Sequence, residues 1–285
     1  MMHTMMHTHK SIVNQLTQLS MPLYLDEKVY AIAKEIQLLR PEEFKCLFLC
    51  LGTFHTMKTL MKCIGKSLSG SGVDTLWQTT GHHGATVIEK SILSGGHYNR
   101  AVEAYTELYE AILRLQYKEF FKENGVLTYH KELEALRTLK ELTKHGKTSQ
   151  CKEVLDYLPI SLQKLMKDFV DFKERKSKES ENFKFWDQFT YRHSIVLNLL
   201  RADREGNWLL HLHSMQEALY EFAAWDSTNY SVWGSVYLEE ARNLQESHPE
   251  IYQHFMNGSF SVKDSNGRFV AVGGDQKLEQ SINLS

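Results

Sequence analysis

From residue 26 onward, apolar positions recur every three or four residues over most of the chain. Val29, Ala31, Ile32, Ala33, Ile36 and Leu39 make one stripe, and Asp26 stands before it as a cap, so a helix is predicted through about Leu39. The run Lys45–Cys46–Leu47–Phe48–Leu49–Cys50–Leu51 breaks that period. A short apolar run ending at a glycine reads as one fully buried strand, although periodicity alone also allows a helix. Helical spacing returns from Phe54 to about Leu68 and stops at Ser69–Gly70–Ser71–Gly72. Short helices are predicted at about 73–79 and 84–93, a long one from about Tyr98 to Lys122, and another over about 128–144. Two more should flank Pro159, since proline breaks a helix interior. Helices of roughly 181–203, 207–224 and 227–243 follow. Ser259–Lys263 and Arg268–Val272 alternate around Asn266–Gly267, which predicts a β-hairpin near 259–272. Asp275 then opens a further helix. The fold class is mainly α with a small β component: one buried strand near 45–51 and the hairpin. Residues 10–19 offer a weak helix that ends before Pro22, and the simplest organisation is a disordered tail over 1–20 and one large, mostly helical domain over 21–285, with a helical insertion at about 97–180.

Composition narrows the function classes. The 285 residues are 42% hydrophobic and 24% charged, an ordinary globular balance, and four prolines agree with long helices. The net charge of -2 lacks the basic excess of non-specific nucleic-acid binders, so any such contact must be local. Cys46, Cys50, Cys63 and Cys151 form no C-x-x-C pair and read as reduced residues of an intracellular protein, nuclear or cytoplasmic. The N-terminus has no apolar leader core, and no stretch reaches the ~18 to 20 apolar residues of a membrane span, so no membrane partner is expected. His3, His7 and His9 offer loose chelation on a tail. The charged segment Lys173–Ser180 reads as a solvated helix end, because acids interrupt its bases.

Candidate chemistry is sparse. Glycine-rich phosphate loops and nucleophile elbows are absent from the sequence. His82–His83 lack partners at zinc-site spacing, and His211 and His213 point to different faces if helical. Two places stand out. At Leu51–Gly52–Thr53–Phe54–His55 a strand meets a helix, so His55 is either a binding residue at the strand end or a helix N-terminal histidine bonded to backbone. Asp275 and Glu279 are i, i+4 on one predicted face; they can share Mg²⁺, or Asp275 simply caps the helix, which is the simpler reading.

Several motifs carry a resemblance. They are Met21–Pro22–Leu23–Tyr24, Leu51 to Met57, Ile64–Gly65–Lys66, Gly70–Ser71–Gly72, Leu93 to Ala101, Leu199 to Arg204, Trp225 to Tyr230, Val236 to Glu239 and Asp275 to Gln280. Together they resemble an uncharacterised, multicopy, mobile-element-derived family of cnidarians, fish, other animals and fungi. The resemblance implies a diverged RNase H-like transposase core interrupted by helices, in which acids hold two metal ions, Mg²⁺ when active, for phosphodiester hydrolysis and strand transfer. The family pattern places one acid just before the Pro–Leu segment, where Ser20–Met21 stand, and more distant relatives place one before the Phe–His pair, where Thr53 stands. Glu279 matches the late acid, with Asp275 beside it. The resemblance therefore implies a partial or decayed copy, a domesticated transposase without catalysis that binds nucleic acid or protein.

Two other readings compete. One is an active metal-dependent nuclease or transposase with another acid set, Asp26, Asp275 and Glu279. The other is a helical interaction scaffold using the aromatics of 183–237, although aromatics at helical spacing more often pack inward.

Overall fold

The apolar run does form a strand. The computed structural model describes residues 2–15, 19–81, 84–144, 148–263, 266–267, 269–273 and 275. Strand β2 (Leu47–Leu51) is buried at all five positions. It pairs in parallel with β1 (Met21–Leu25), with Leu23 opposite Leu49 and Leu25 opposite Leu51. A strand buried on both faces needs a continuous apolar run, as Leu47–Leu51 provides. Parallel strands also need a crossover. Here it is α2 (Glu27–Leu39) with the short α3 (Pro41–Phe44), after a preceding helix α1 (Met2–Gln15). Asp26 caps α2 as expected, its Oδ1 accepting from Val29 N at 2.8 Å. The structureless tail predicted over 1–20 is not found over 2–15. Met6 and Val13 of α1 are buried, which gives the segment an apolar face to dock.

After β2 come α4 (Thr53–Ser67), α5 (Val73–Thr79), α6 (Ala85–Val87) with a π-helical turn at Ile88–Leu93, and α7 (Tyr98–Asn124). They are followed by α8 (His130–Lys144), α9 (Thr148–Glu179), α10 (Glu181–Glu205), α11 (Trp208–Ala224), α12 (Thr228–Arg242), α13 (Leu244–Ser247) and α14 (Pro249–Met256). The hairpin is β3 (Ser261–Lys263) against β4 (Phe269–Gly273), antiparallel, with Gly267 at φ 75° in its turn. The mainly helical fold with a small β component is thus what the chain adopts. One boundary differs: the two helices predicted around Pro159 are a single helix, α9. Proline costs a helix interior ~3 kcal/mol, and the later half of α9 offsets this by burying Leu165, Phe169 and Phe172.

Contacts divide the chain into two units, Met1–Ala104 with Arg192–Ser285, and Tyr105–Tyr191. The division falls within α7 and α10, where the sequence predicts one domain with an insertion at about 97–180. In the first unit, α2 and α12 pack on β2, and α11 packs on both α4 and α12. Lys34 is buried there and ion-paired with Glu240, and it also donates to Gln37 at 2.8 Å. In the second unit, Phe120, Tyr129, Leu165, Phe169 and Phe172 form the core, with Tyr117 stacked on Phe169 at 4.0 Å. The charged end of α9 is solvated, as expected, and its Arg175 and Lys176 both pair with Glu123.

Candidate functional site

The carboxyl edge of the β1–β2 pair gathers the buried ionisable groups of the first unit. Its construction begins at Gly52, whose N–H donates to Leu25 O at 2.8 Å and so closes the edge. The chain enters α4 at the next residue, and Gly52 has no side chain to cap it. The first-turn N–H groups of a helix need acceptors from elsewhere. Asp275, 220 residues after His55, supplies them: Oδ1 accepts from Phe54 N at 3.3 Å, and Oδ2 from His55 N at 3.2 Å. His55 Nδ1 lies 3.1 Å from the same Oδ2. Asp275 is only 5% exposed, and a Cβ on residue 52 would overlap its carboxyl group. Glycine is therefore required here for close approach.

Behind this contact lie Asp203 and His211, each 1% exposed. Asp203 Oδ1 has no hydrogen-bond partner among the described residues. Burial, and secondarily the charge of Asp275, push the Asp203 carboxyl up to about 8, so it carries its proton at neutral pH. Ser261 Oγ donates to the Asp203 carbonyl at 2.6 Å and ties β3 to α10. His211 is held down to about 4 by burial, with Asp275 acting in the opposite direction. Its ring stacks on Trp208 at 5.1 Å, and Nε2 meets the Tyr237 hydroxyl at 3.1 Å. Burial raises Tyr24 and Tyr98, and both sense Asp203 and Asp275. The Tyr24 hydroxyl donates to Phe260 O at 3.1 Å. The edge is thus a sealed polar cluster of one capping carboxylate, one protonated carboxyl and one neutral imidazole.

The structure brings three of the expected residues to this edge. His55 and Asp275 touch, and Asp26 follows β1 directly; burial first, and then the charges of Glu27, Asp275 and Asp26, raise the Tyr230 phenol. Glu279, and with it the Asp275–Glu279 pair, lies outside the described residues, as do His82 and His83. His211 and His213 both lie on α11 and are split as a helix requires, one buried and one exposed. Asp203 and His211 were not singled out from sequence as edge residues. A signal existed for Asp203: it falls on the spacing of Val196 and Leu199, an apolar stripe interrupted by an acid.

These residues do not fit Mg²⁺. Both oxygens of Asp275 face N–H donors at the positive end of α4, which opposes a divalent cation. Asp203 is protonated and so is a poor ligand. The aromatics of 183–237 pack mostly inward: Phe189, Trp208, Phe222 and Tyr237 are buried, while Tyr191 and Tyr220 are exposed. Among the described residues, no helix is long and apolar enough to cross a membrane.

One family model, that of a domain of unknown function (DUF8702), matches residues 1–285. No curated protein matches. No solved structure matches either.

Proposed function

We propose, for a chain that belongs to this family of unknown function, that it is a mobile-element-derived protein which has lost catalysis and acts by binding a protein partner inside the cell. The observation that carries the loss of catalysis is the engagement of Asp275. In a two-metal nuclease a late acid points open oxygens at cations; here both oxygens terminate a helix. Asp26 is likewise engaged as the cap of α2. Ser20 and Thr53 stand where the resembling family has acids. The RNase H-like ancestry rests on that resemblance; the described strands form two separate pairs.

A protein partner is favoured over nucleic acid by surface and charge. The unit Tyr105–Tyr191 exposes Leu115, Leu127 and Met166, each more than half accessible, and the net charge is -2. Accessible apolar side chains, which the other unit also carries at Leu38 and Leu39, offer area that a protein partner can bury, whereas nucleic-acid binding rests on concentrated cations. The test is incubation of the purified chain with supercoiled plasmid in Mg²⁺ or Mn²⁺, beside an Asp275→Ala variant. The expected result is equal background nicking by both. Nicking by the wild type that the variant loses would overturn the loss of catalysis. DNA binding at physiological salt with a steep salt dependence would overturn the protein partner.

A further inference from the structure

We infer that α1 and α3 form a binding site for one divalent transition-metal ion, with Zn²⁺ best suited to the donors. His3 and His7 are i, i+4 on α1 and therefore share a face. They meet Glu43 of α3. His7 Nε2 lies 3.2 Å from His3 Nε2 and 3.0 Å from Glu43 Oε1, and all three donors fall within 4.8 Å of one another. Donors about 2.0–2.2 Å from a tetrahedral zinc lie roughly 3.3–3.5 Å apart. Small outward shifts of these donors would thus seat the ion.

Packing presets the ring positions. Both imidazoles stand edge-on to the buried Phe44, at 5.7 and 5.1 Å, and they are T-shaped to each other at 4.3 Å. Two imidazoles and one carboxylate make a donor set that suits zinc over Mg²⁺ or Ca²⁺. Three protein donors leave a fourth position to water. His9 takes no part: two residues beyond His7 on the same helix, it projects from a different face, and the grouped donors are those of His3, His7 and Glu43.

A competitor already stands at the site. The Arg40 guanidinium reaches His3 Nε2 at 3.0 Å, taking a lone pair that a metal would use, and the second oxygen of Glu43, Oε2, at 3.4 Å. Its side chain is 56% exposed and can swing into solvent. The arginine is then a built-in cation that the metal must displace, so its removal should tighten binding. A purely structural role for the cluster predicts no such gain.

The experiment uses the untagged full chain, stripped of metal with a chelator and titrated with Zn²⁺ by calorimetry. Co²⁺ serves as a spectroscopic probe. One ion per chain and the visible absorption of four-coordinate Co²⁺ are expected, with no comparable uptake of Mg²⁺. His7→Ala and Glu43→Gln should each weaken binding at least ~10-fold. Arg40→Ala should strengthen it, and His9→Ala should leave it unchanged. Circular dichroism of the metal-free variants checks α1, and the near-isosteric Glu43→Gln keeps the test decisive if His7→Ala perturbs the helix. Wild-type affinity in both His7→Ala and Glu43→Gln, or weaker binding in Arg40→Ala, would overturn the site.

Discussion

The carboxyl edge of β1–β2 and the His3–His7–Glu43 cluster hold the same kinds of side chain under opposite conditions. At the edge, Asp275, Asp203 and His211 are all nearly inaccessible. At the cluster, His7 and Glu43 side chains keep 41% and 27% of their exposure. Burial makes an unpaired charge costly, so the edge has neutralised two groups and tied the third to backbone. Half-exposed groups face a smaller desolvation penalty and can exchange one partner for another. The difference teaches that acids and histidines brought together by a fold are not thereby available for chemistry; availability depends on what their lone pairs already do.

The comparison can be broken most forcefully at Gly52. Gly52→Ala should cost roughly 3–5 kcal/mol or abolish folding, because the new Cβ meets the Asp275 carboxyl. Chemical denaturation would measure it, and combining it with Asp275→Ala should restore part of the loss. Wild-type stability in the Gly52→Ala chain would show that the contact is not tight. Next comes Asp275→Ala alone, expected to cost about 2–3 kcal/mol, since it removes a helix cap and leaves buried N–H groups unmet. The matching Glu43→Ala at the exposed cluster should stay within ~0.5 kcal/mol in metal-free buffer. Equal costs at the two positions would erase the contrast.

A third effect is read in pH. Asp203 is raised by burial, so the folded chain binds more protons than the unfolded one between about 4 and about 8. Stability should therefore fall with rising pH in that window, by up to about 1.4 kcal/mol per pH unit from this group. His193 and His211 are depressed by burial to about 3 and about 4. The unfolded chain binds more protons than the folded one below ~6.5, so these two remove stability as pH falls. A maximum near neutrality is expected. Asp203→Asn should flatten the alkaline side and steepen the acid side, where Asp203 opposes the two histidines; an unchanged alkaline slope would refute the protonated carboxyl. The smallest effect lies outside both regions, at Asp226. It is the described non-glycine residue with positive φ, at 55°, and it is exposed. Asp226→Gly should be neutral or stabilising by ~0.5 kcal/mol in a thermal melt, which sets the lower end of the scale.

Much of the fold was legible because its cause is local. Leu47–Leu51 is apolar at every position, and Asn266–Gly267 suits a hairpin turn, so β2 and the β3–β4 hairpin followed from the chain itself. Strand β1 did not: Pro22 lies inside it, and five residues carry little periodicity. Pro22 is tolerated because β1 pairs on one side with β2 in a two-stranded sheet. Helix α1 was legible only as a weak helix over 10–19; its first turns were hidden because they depend on docking Met6 and Val13, not on propensity. At the edge, His55 could be singled out because a strand-to-helix junction is a local pattern. Its bond to Asp275 spans 220 residues and has no local signature. Asp203 sat in a charged-looking segment, Arg201–Ala202–Asp203–Arg204, where only the stripe spacing betrayed its burial.

The discontinuity of the first unit has a consequence during synthesis. Strand β2 is apolar at all five positions, yet α12, which packs on it, begins at Thr228. At about 5–20 residues per second, a ribosome needs roughly 10–40 s to make the intervening chain. For that interval only β1 and α2 can cover the strand, and the surface that α12 later takes stays open on the nascent chain. Completion of the edge waits longer still, for Asp275 to reach Phe54 and His55. Contacts so distant in sequence make late, slow closure of this unit the expected rate-limiting event, and a reason for chaperone engagement before release.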